Sequence, residues 1–266
     1  MIKPGEIQKW ANKVGVRDSQ IEKDYILSWI LCGVSNQSEL SKEIVFKGGT
    51  ALKKVYFDDY RYSEDLDFTL ITDRSNDQLR EWFNQVFKYI KEEANIPLEI
   101  DDQNDHEDGG MNFHISYIGP FGGDGSNKKV KVDISRSEKL VFDAVTKPAI
   151  INYSDLEEYE LLCYPLEEVI VEKLRCIIQR MQPRDYYDIW YLLEVYGLDI
   201  DFFVPEFIEK CEAKGIDPSA FHKSIEKRIP QYRGRWSKSM ADQIQDLPAF
   251  DQVEREMNRH LKKFNV

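Results

Sequence analysis

The sequence predicts an α+β chain in which a mixed β-sheet core, flanked by helices, is followed by a helical C-terminal part. Three observations carry this prediction. Runs at 66–71, 113–118 and 130–134 alternate apolar and polar residues, the pattern of strands with one buried face. Helix-period segments at 5–35 and 77–94 interleave with them. Beyond about residue 150 only helix-period segments recur, which divides the chain into 1–150, a core with N-terminal helices, and 151–266, a helical domain.

Taken in order, residues 5–35 read as helix, with Ser19-x-x-Glu22 as a capping box inside it ahead of Tyr25, Leu27, Trp29 and Ile30. Residues 44–46 form a short buried strand, followed by Gly48-Gly49 and a helical turn at 51–56. After the strand at 66–71 comes the helix 77–94, whose apolar stripe is Trp82, Phe83, Val86, Phe87 and Ile90. Further strands are expected at 98–100, 113–118 and 130–134. The stretch "DDQNDHEDGG" at 101–110 reads as an acidic, turn-rich loop. "GPFGGDGSN" at 119–127 lies between two strands, so it reads as a hairpin tip and not as a phosphate-binding loop. Pro165 opens a helix that runs to about 181, Pro183 breaks it, and a second helix covers 185–195. More helices follow from Phe202 onward.

The 266 residues, 42% of them hydrophobic, suffice for a substantial core. The net charge of −12, from 36 basic and 48 acidic residues, argues against indiscriminate binding to nucleic acid or anionic lipid but leaves room for a local basic patch. Cys32, Cys163, Cys176 and Cys211 lack metal-ligand spacing and read as reduced, packed thiols. The N-terminal residues have no apolar signal core, and no segment approaches the ~18 apolar residues of a membrane span. A soluble, cytoplasmic protein is expected.

The chemistry concentrates on two strands. Side chains alternate faces along a strand, so Asp65, Asp67 and Thr69 share one face, and the two aspartates lie ~7 Å apart. From there carboxylates can converge on a hard cation. In "KKVKVDISRSEK", Lys129, Lys131, Asp133 and Ser135 share a face, and Asp133 offers a third carboxylate. Three carboxylates from two strands suit a two-metal site for displacement at a phosphoryl group. Each alone reads more simply as part of a solvated strand face. Gly48-Gly49, between a strand and a helical turn, can bring backbone N–H groups to phosphate, and Thr50 can add a hydroxyl; a glycine pair can also be just a tight turn. On the 165–181 helix, Lys173 falls within the apolar stripe Leu166, Ile170, Leu174, Ile177 and Met181, where it either snorkels outward or meets an anion. Arg180 and Arg184 follow at one-turn spacing. Asp185 and Asp188 stand at the next helix start, where acidic residues also serve simply as caps.

In combination, "GGTALKKVYFDDYRYSEDLDF", "KVKVDIS" and "EEVIVEKLRCIIQRMQPRDYYDIWYLL" resemble the AbiEii/AbiGii-type nucleotidyltransferase toxins of the DNA polymerase β-like nucleotidyltransferase superfamily. The resemblance covers roughly residues 20–195; 196–266 carry none of its motifs. It implies a nucleotidyltransferase-type mixed sheet and transfer of a nucleoside monophosphate from an NTP, with Mg²⁺ (or Mn²⁺) and release of pyrophosphate. It also implies an RNA acceptor such as tRNA, a type IV toxin–antitoxin or abortive-infection setting in phage defence, and a cognate antitoxin encoded nearby. Residue by residue, it places Gly48 and Gly49 along the triphosphate with Ser63 near it. Asp65 and Asp67 become metal ligands, Asp133 a metal ligand or base, and Lys173 a contact to the nucleotide phosphates. Asp185 matches the late acidic position. The superfamily's usual Gly-Ser is here Gly-Gly-Thr, which leaves open whether Thr50 touches phosphate.

An RNA acceptor needs positive surface. Lys223, Lys227, Arg228, Arg233, Arg235 and Lys238, opposed by Glu226 and interleaved with Tyr232 and Trp236 as stacking rings, are the candidate; an ordinary solvated helix face is the alternative. Two other readings stay open: a non-catalytic nucleotide-binding interaction protein, and transfer onto a protein acceptor. A histidine-based metal hydrolase is disfavoured, because the nearest histidines, His106 and His114, sit in or beside the acidic stretch.

Overall fold

The computed structural model describes residues 1–106, 109–123 and 128–266. The chain forms two units. One comprises Met1–Glu138, Ala144–Tyr164 and Asp242–Gln245; the other comprises Lys139–Asp143, Pro165–Ala241 and Asp246–Val266.

In the first unit, helices α1 (Pro4–Val14), α2 (Asp18–Asn36) and α3 (Leu40–Glu43) precede strand β1 (Ile44–Lys47). Helix α4 (Gly48–Ala51) continues into a π turn at Leu52–Tyr56 and leads to β2 (Asp65–Leu70), α5 (Asn76–Ala94), β3 (Leu98–Asp105), β4 (Met111–Tyr117) and β5 (Lys129–Ser135). Strands β6 (Val145–Pro148) and β7 (Glu160–Cys163) complete a seven-stranded sheet in the order β3-β4-β5-β2-β1-β7-β6. It is mixed: β2 runs parallel to β5 and β1 to β7, and the other pairs are antiparallel.

Strict alternation makes the sheet two-faced. Phe68, Phe113, Ile115, Val130, Val132 and Ile134 are buried on one side, and the residues between them are half-exposed on the other. Helix α5 lays Leu79, Trp82, Phe83, Val86, Phe87 and Ile90 into this core, with Phe83 edge-on to Phe113 at a centroid distance of 5.0 Å. Each such side chain contributes about 1.5–3 kcal/mol on burial. Ser75 caps the helix by accepting from the Gln78 amide, and Asn95 ends it in the left-handed region at φ 52°.

Several expectations are corrected. The capping box at Ser19 does not form, because α2 begins at Asp18 after Arg17 and Ser19 is already inside the helix. Glu22 is instead buried and accepts from the Phe121 amide and the Lys128 ammonium. Residues 101–105 of the acidic stretch continue β3, paired with β4 past a bulge between Ile100 and Asp102. An edge strand keeps its charges solvated while its backbone pairs, so ladder hydrogen bonds override weak strand propensity. The rest of that stretch at 107–108, and 124–127 of the glycine-rich hairpin tip, lie outside the described residues. Strands β6 and β7, four residues each, had no alternating signature long enough to read.

The second unit is helical: α6 (Leu166–Gln179), α7 (Pro183–Trp190) running into a π turn at Tyr191–Val195, α8 (Val204–Glu212), α9 (Phe221–Met240) and α10 (Phe250–Leu261). Pro183 does not merely break the preceding helix; it opens α7 two residues earlier than expected, at a position whose N–H no helix needs. Tyr186 stacks on Tyr232 at 5.1 Å, with Trp236 and Phe250 edge-on to one another beside them. Glu168, fully buried, accepts from Lys210 and from the amides of Val141 and Phe142, and so pins the 139–143 segment within this unit. Cys32, Cys163, Cys176 and Cys211 are all buried. Among the described residues, no helix is long and apolar enough to cross a membrane.

Candidate active site

The turn from β1 into α4 shows why two glycines stand together. Gly48 has φ +80°, which L side chains rarely adopt, and a Cβ there would collide with Asp67 Oδ2. A Cβ on Gly49 would stand 2.6 Å from Arg61 Nη2. The pair therefore admits one carboxylate and one guanidinium directly against the backbone. Gly48→Ala is expected to destabilise the fold by about 1–3 kcal/mol from left-handed strain and to displace Asp67. Chemical denaturation will read the first effect and divalent-metal titration the second.

Cross-strand register sets the rest. On the half-exposed face, Lys47 of β1 pairs with Asp67 of β2, Asp67 with Asp133 of β5, and Asp133 with Asn112 of β4. Residues in register project to the same side from strands ~4.8 Å apart. One step along, Asp65 lies opposite Lys131, and Lys131 opposite His114. Lys131 Nζ stands 3.1 Å from Asp133 Oδ2, with both side chains substantially exposed, so this ion pair is weak and exchangeable. Thr50, 1% exposed, donates its hydroxyl to the Asp65 carbonyl and ties α4 to the start of β2. Ser63 is buried just ahead of β2. Among the described residues, no three His, Cys, Asp or Glu side chains form a metal-ligating group, so Asp65, Asp67 and Asp133 share a face without meeting at one point.

The second unit holds Lys173 and Asp185, which pair with each other. Lys173 Nζ is 2.7 Å from Asp185 Oδ1 and 2.9 Å from Asp188 Oδ2, and Arg180 Nε is 2.8 Å from Asp185 Oδ2. Lys173, Asp185 and Asp188 are all buried, so the lysine meets anions and does not snorkel. By sequence alone Asp188 reads as a helix-start charge. Its signal was its spacing, one turn after Asp185 and opposite a lysine on a core stripe. Lys131, which the sequence places on the strand face of Asp133, stands opposite Asp65 and pairs with Asp133.

Burial pushes the Asp185 carboxyl up, but the charges of Lys173 and Arg180 more than offset this and hold it below the usual carboxylate range. A depressed folded-state pKa stabilises fully above the unfolded value of ~3.9, and the contribution is lost as pH falls through the folded value. Acid unfolding is therefore expected below about pH 4, and Asp185→Asn will flatten that limb of the stability profile.

The aromatic part of the expected basic patch is corrected. Tyr232 and Trp236 are buried one turn apart on α9 in the core of the second unit and offer no stacking platform. Arg233 pairs with Asp251 and Glu254, and Arg228 donates to the Ile178 carbonyl. Lys223, Lys227, Arg235 and Lys238 are exposed.

A mixed sheet with a glycine turn after one strand, two aspartates on the next and a third in register on a parallel neighbour defines a nucleotidyltransferase-type fold. The structure is similar to MenT4, a nucleotidyltransferase toxin from Mycobacterium tuberculosis H37Rv, at a TM-score of 0.72 and 16% identity, covering 100% of this chain and 91% of that one. It is also similar to JHP933 from Helicobacter pylori, at a TM-score of 0.55 and 16% identity, covering 93% and 92%. At these identities the likeness is one of fold. No curated protein matches the chain significantly in sequence. The family described as nucleotidyl transferase AbiEii toxin, type IV TA system, matches residues 29–256. The chain belongs to this family of nucleotidyltransferase toxins, and the match runs well past the last motif read from the sequence.

Proposed function

We propose that the protein transfers a nucleoside monophosphate from an NTP to an RNA acceptor, using Mg²⁺ or Mn²⁺ held by Asp65, Asp67 and Asp133. The observation that carries this reading is the in-register pair Asp67 and Asp133 beside a glycine turn that Asp67 itself touches. All-oxygen donors of this kind suit hard divalent ions, and the exposed Lys131–Asp133 pair leaves Asp133 able to exchange partners. When bound, the metal supplies charge neutralisation on the triphosphate and a lowered pKa for the acceptor hydroxyl.

The chain's own residues do the rest. Backbone N–H groups at Gly48 and Gly49 line the triphosphate, near Ser63. Thr50 keeps Asp65 in place through its carbonyl. Asp133 accepts the proton of the attacking hydroxyl, whose oxygen bonds to the α-phosphorus as the bond to pyrophosphate breaks. Lys173 and Asp185, whose side chains pair within the second unit, are proposed to serve transfer as well. Calorimetric titration with Mn²⁺ and an NTP analogue tests the site. The wild type is expected to bind both, and Asp65→Asn and Asp67→Asn to lose metal-dependent binding. Unchanged binding in both variants would remove the assignment.

The acceptor is proposed to be tRNA or another RNA, met by Lys223, Lys227, Arg235 and Lys238. Reversing Lys223 and Lys227 to Glu is expected to weaken RNA binding about tenfold or more near 100 mM salt and to reduce the salt slope by about 2, with NTP binding unchanged. The biological setting proposed is cytoplasmic, with a cognate antitoxin encoded nearby and a role in abortive infection.

A further inference from the structure

The segment Asp242–Gln245, which joins α9 to α10, belongs to the sheet-bearing unit. Its anchor there is Gln243, only 5% exposed. The Gln243 carbonyl accepts from the Tyr62 amide at 2.8 Å, and its side-chain Oε1 accepts from Arg61 Nη1 at 3.0 Å. Arg61 is itself 3% exposed and also donates from Nη1 toward its neighbour's carbonyl, Tyr62 O, at 3.4 Å. These contacts orient the guanidinium plane, whose Nη2 edge lies against Gly49. Tyr62 is fixed in turn, its hydroxyl accepting from Trp10 Nε1 at 3.2 Å and its ring lying under Lys53 Nζ at 4.6 Å.

A guanidinium edge can stand this close to a glycine backbone only if its rotation is fixed, and Gln243 supplies a side-chain acceptor that helps to fix it. From this chain of contacts we infer that Gln243 is a positioning residue for nucleotide binding: it holds Arg61 against Gly49 and thereby sets the geometry of the Gly48-Gly49 turn. This rests on the reading of that turn as the triphosphate site. Gln243 lies 182 residues from Arg61 in sequence and in none of the motifs, so only the fold connects it to the site.

The test is equilibrium binding of a non-hydrolysable NTP analogue with Mg²⁺ to the full chain, with folding checked by circular dichroism. Gln243→Leu removes the acceptor at similar volume and is expected to raise Kd about tenfold, the size of one lost hydrogen bond to a charged group. Gln243→Glu keeps an acceptor and is expected to stay within about threefold of wild type. A merely structural role would give no such rescue. Arg61→Lys is expected to weaken binding, and adding Gln243→Leu to it to weaken binding no further, because both act through one contact. If Gln243→Leu fails to fold, Gln243→Asn, one methylene shorter, takes its place with the same expectation. A wild-type Kd in Gln243→Leu, or additive effects in the double variant, while Asp67→Ala still loses binding, would overturn this inference alone. No analogue binding by the wild type would overturn the triphosphate reading and this inference with it.

Discussion

Asp67→Ala will reduce nucleotide transfer by about 10³-fold or more, the scale on which removing one preorganised electrostatic group acts, while leaving the fold intact. Asp67 is the central member of the row, flanked in register by Lys47 and Asp133 and seated against Gly48. The variant is expected to stay within about 1 kcal/mol of the wild type, because Asp67 is half-exposed and its in-register neighbours Lys47 and Asp133 carry opposite charges. Initial rates and thermal melts on the same preparation separate the two effects. Retention of more than a tenth of the activity in a folded variant would contradict the assignment.

Lys173→Met will destabilise the protein by about 3–5 kcal/mol, because it removes the ammonium that the buried carboxylates of Asp185 and Asp188 share and leaves Arg180 on Asp185. The triple variant Lys173→Met, Asp185→Asn, Asp188→Asn will recover most of that loss, since the buried ammonium and both buried carboxylates lose their charge together. Comparison of the two isolates the chemistry. If the cluster serves transfer, the triple variant will be folded and inactive. If it only holds α6 to α7, the triple variant will be folded and active, and Lys173 and Asp185 leave the site. Denaturant melts followed by rate measurements decide this.

Much of the sheet was legible because its chemistry is periodic. The alternation in 130–134 marks both the buried Val130, Val132 and Ile134 and the opposite face of Asp133, and the structure keeps that division. The helix at 77–94 was legible for the same reason. Where short-range pattern gave way to long-range pairing, the sequence was silent. Strand β7 is fixed by a parallel ladder to β1, with Phe46 opposite Cys163, and nothing local announces it. At the site, Asp65, Asp67 and Asp133 could be named from strand faces, but their register could not. That Asp67 sits opposite Asp133, with Lys131 opposite Asp65, depends on how β2 and β5 align. The glycine pair was visible, and its reason was not: Gly48 and Gly49 are shaped by Asp67 and Arg61, which reach them through the fold. Tyr232 and Trp236 misled for a related reason. Aromatic residues among basic ones suit both a nucleic-acid surface and the inner face of an amphipathic helix, and only the packing of Tyr186 against them decides.

The most direct measurement is transfer of label from each α-labelled NTP, with Mg²⁺ or with EDTA, into total cellular RNA and protein, run beside Asp67→Ala. Label is expected in a discrete RNA band with one or more NTPs, abolished by EDTA and by the variant. No transfer from any NTP by folded protein, or transfer that persists in EDTA and in Asp67→Ala, would contradict it.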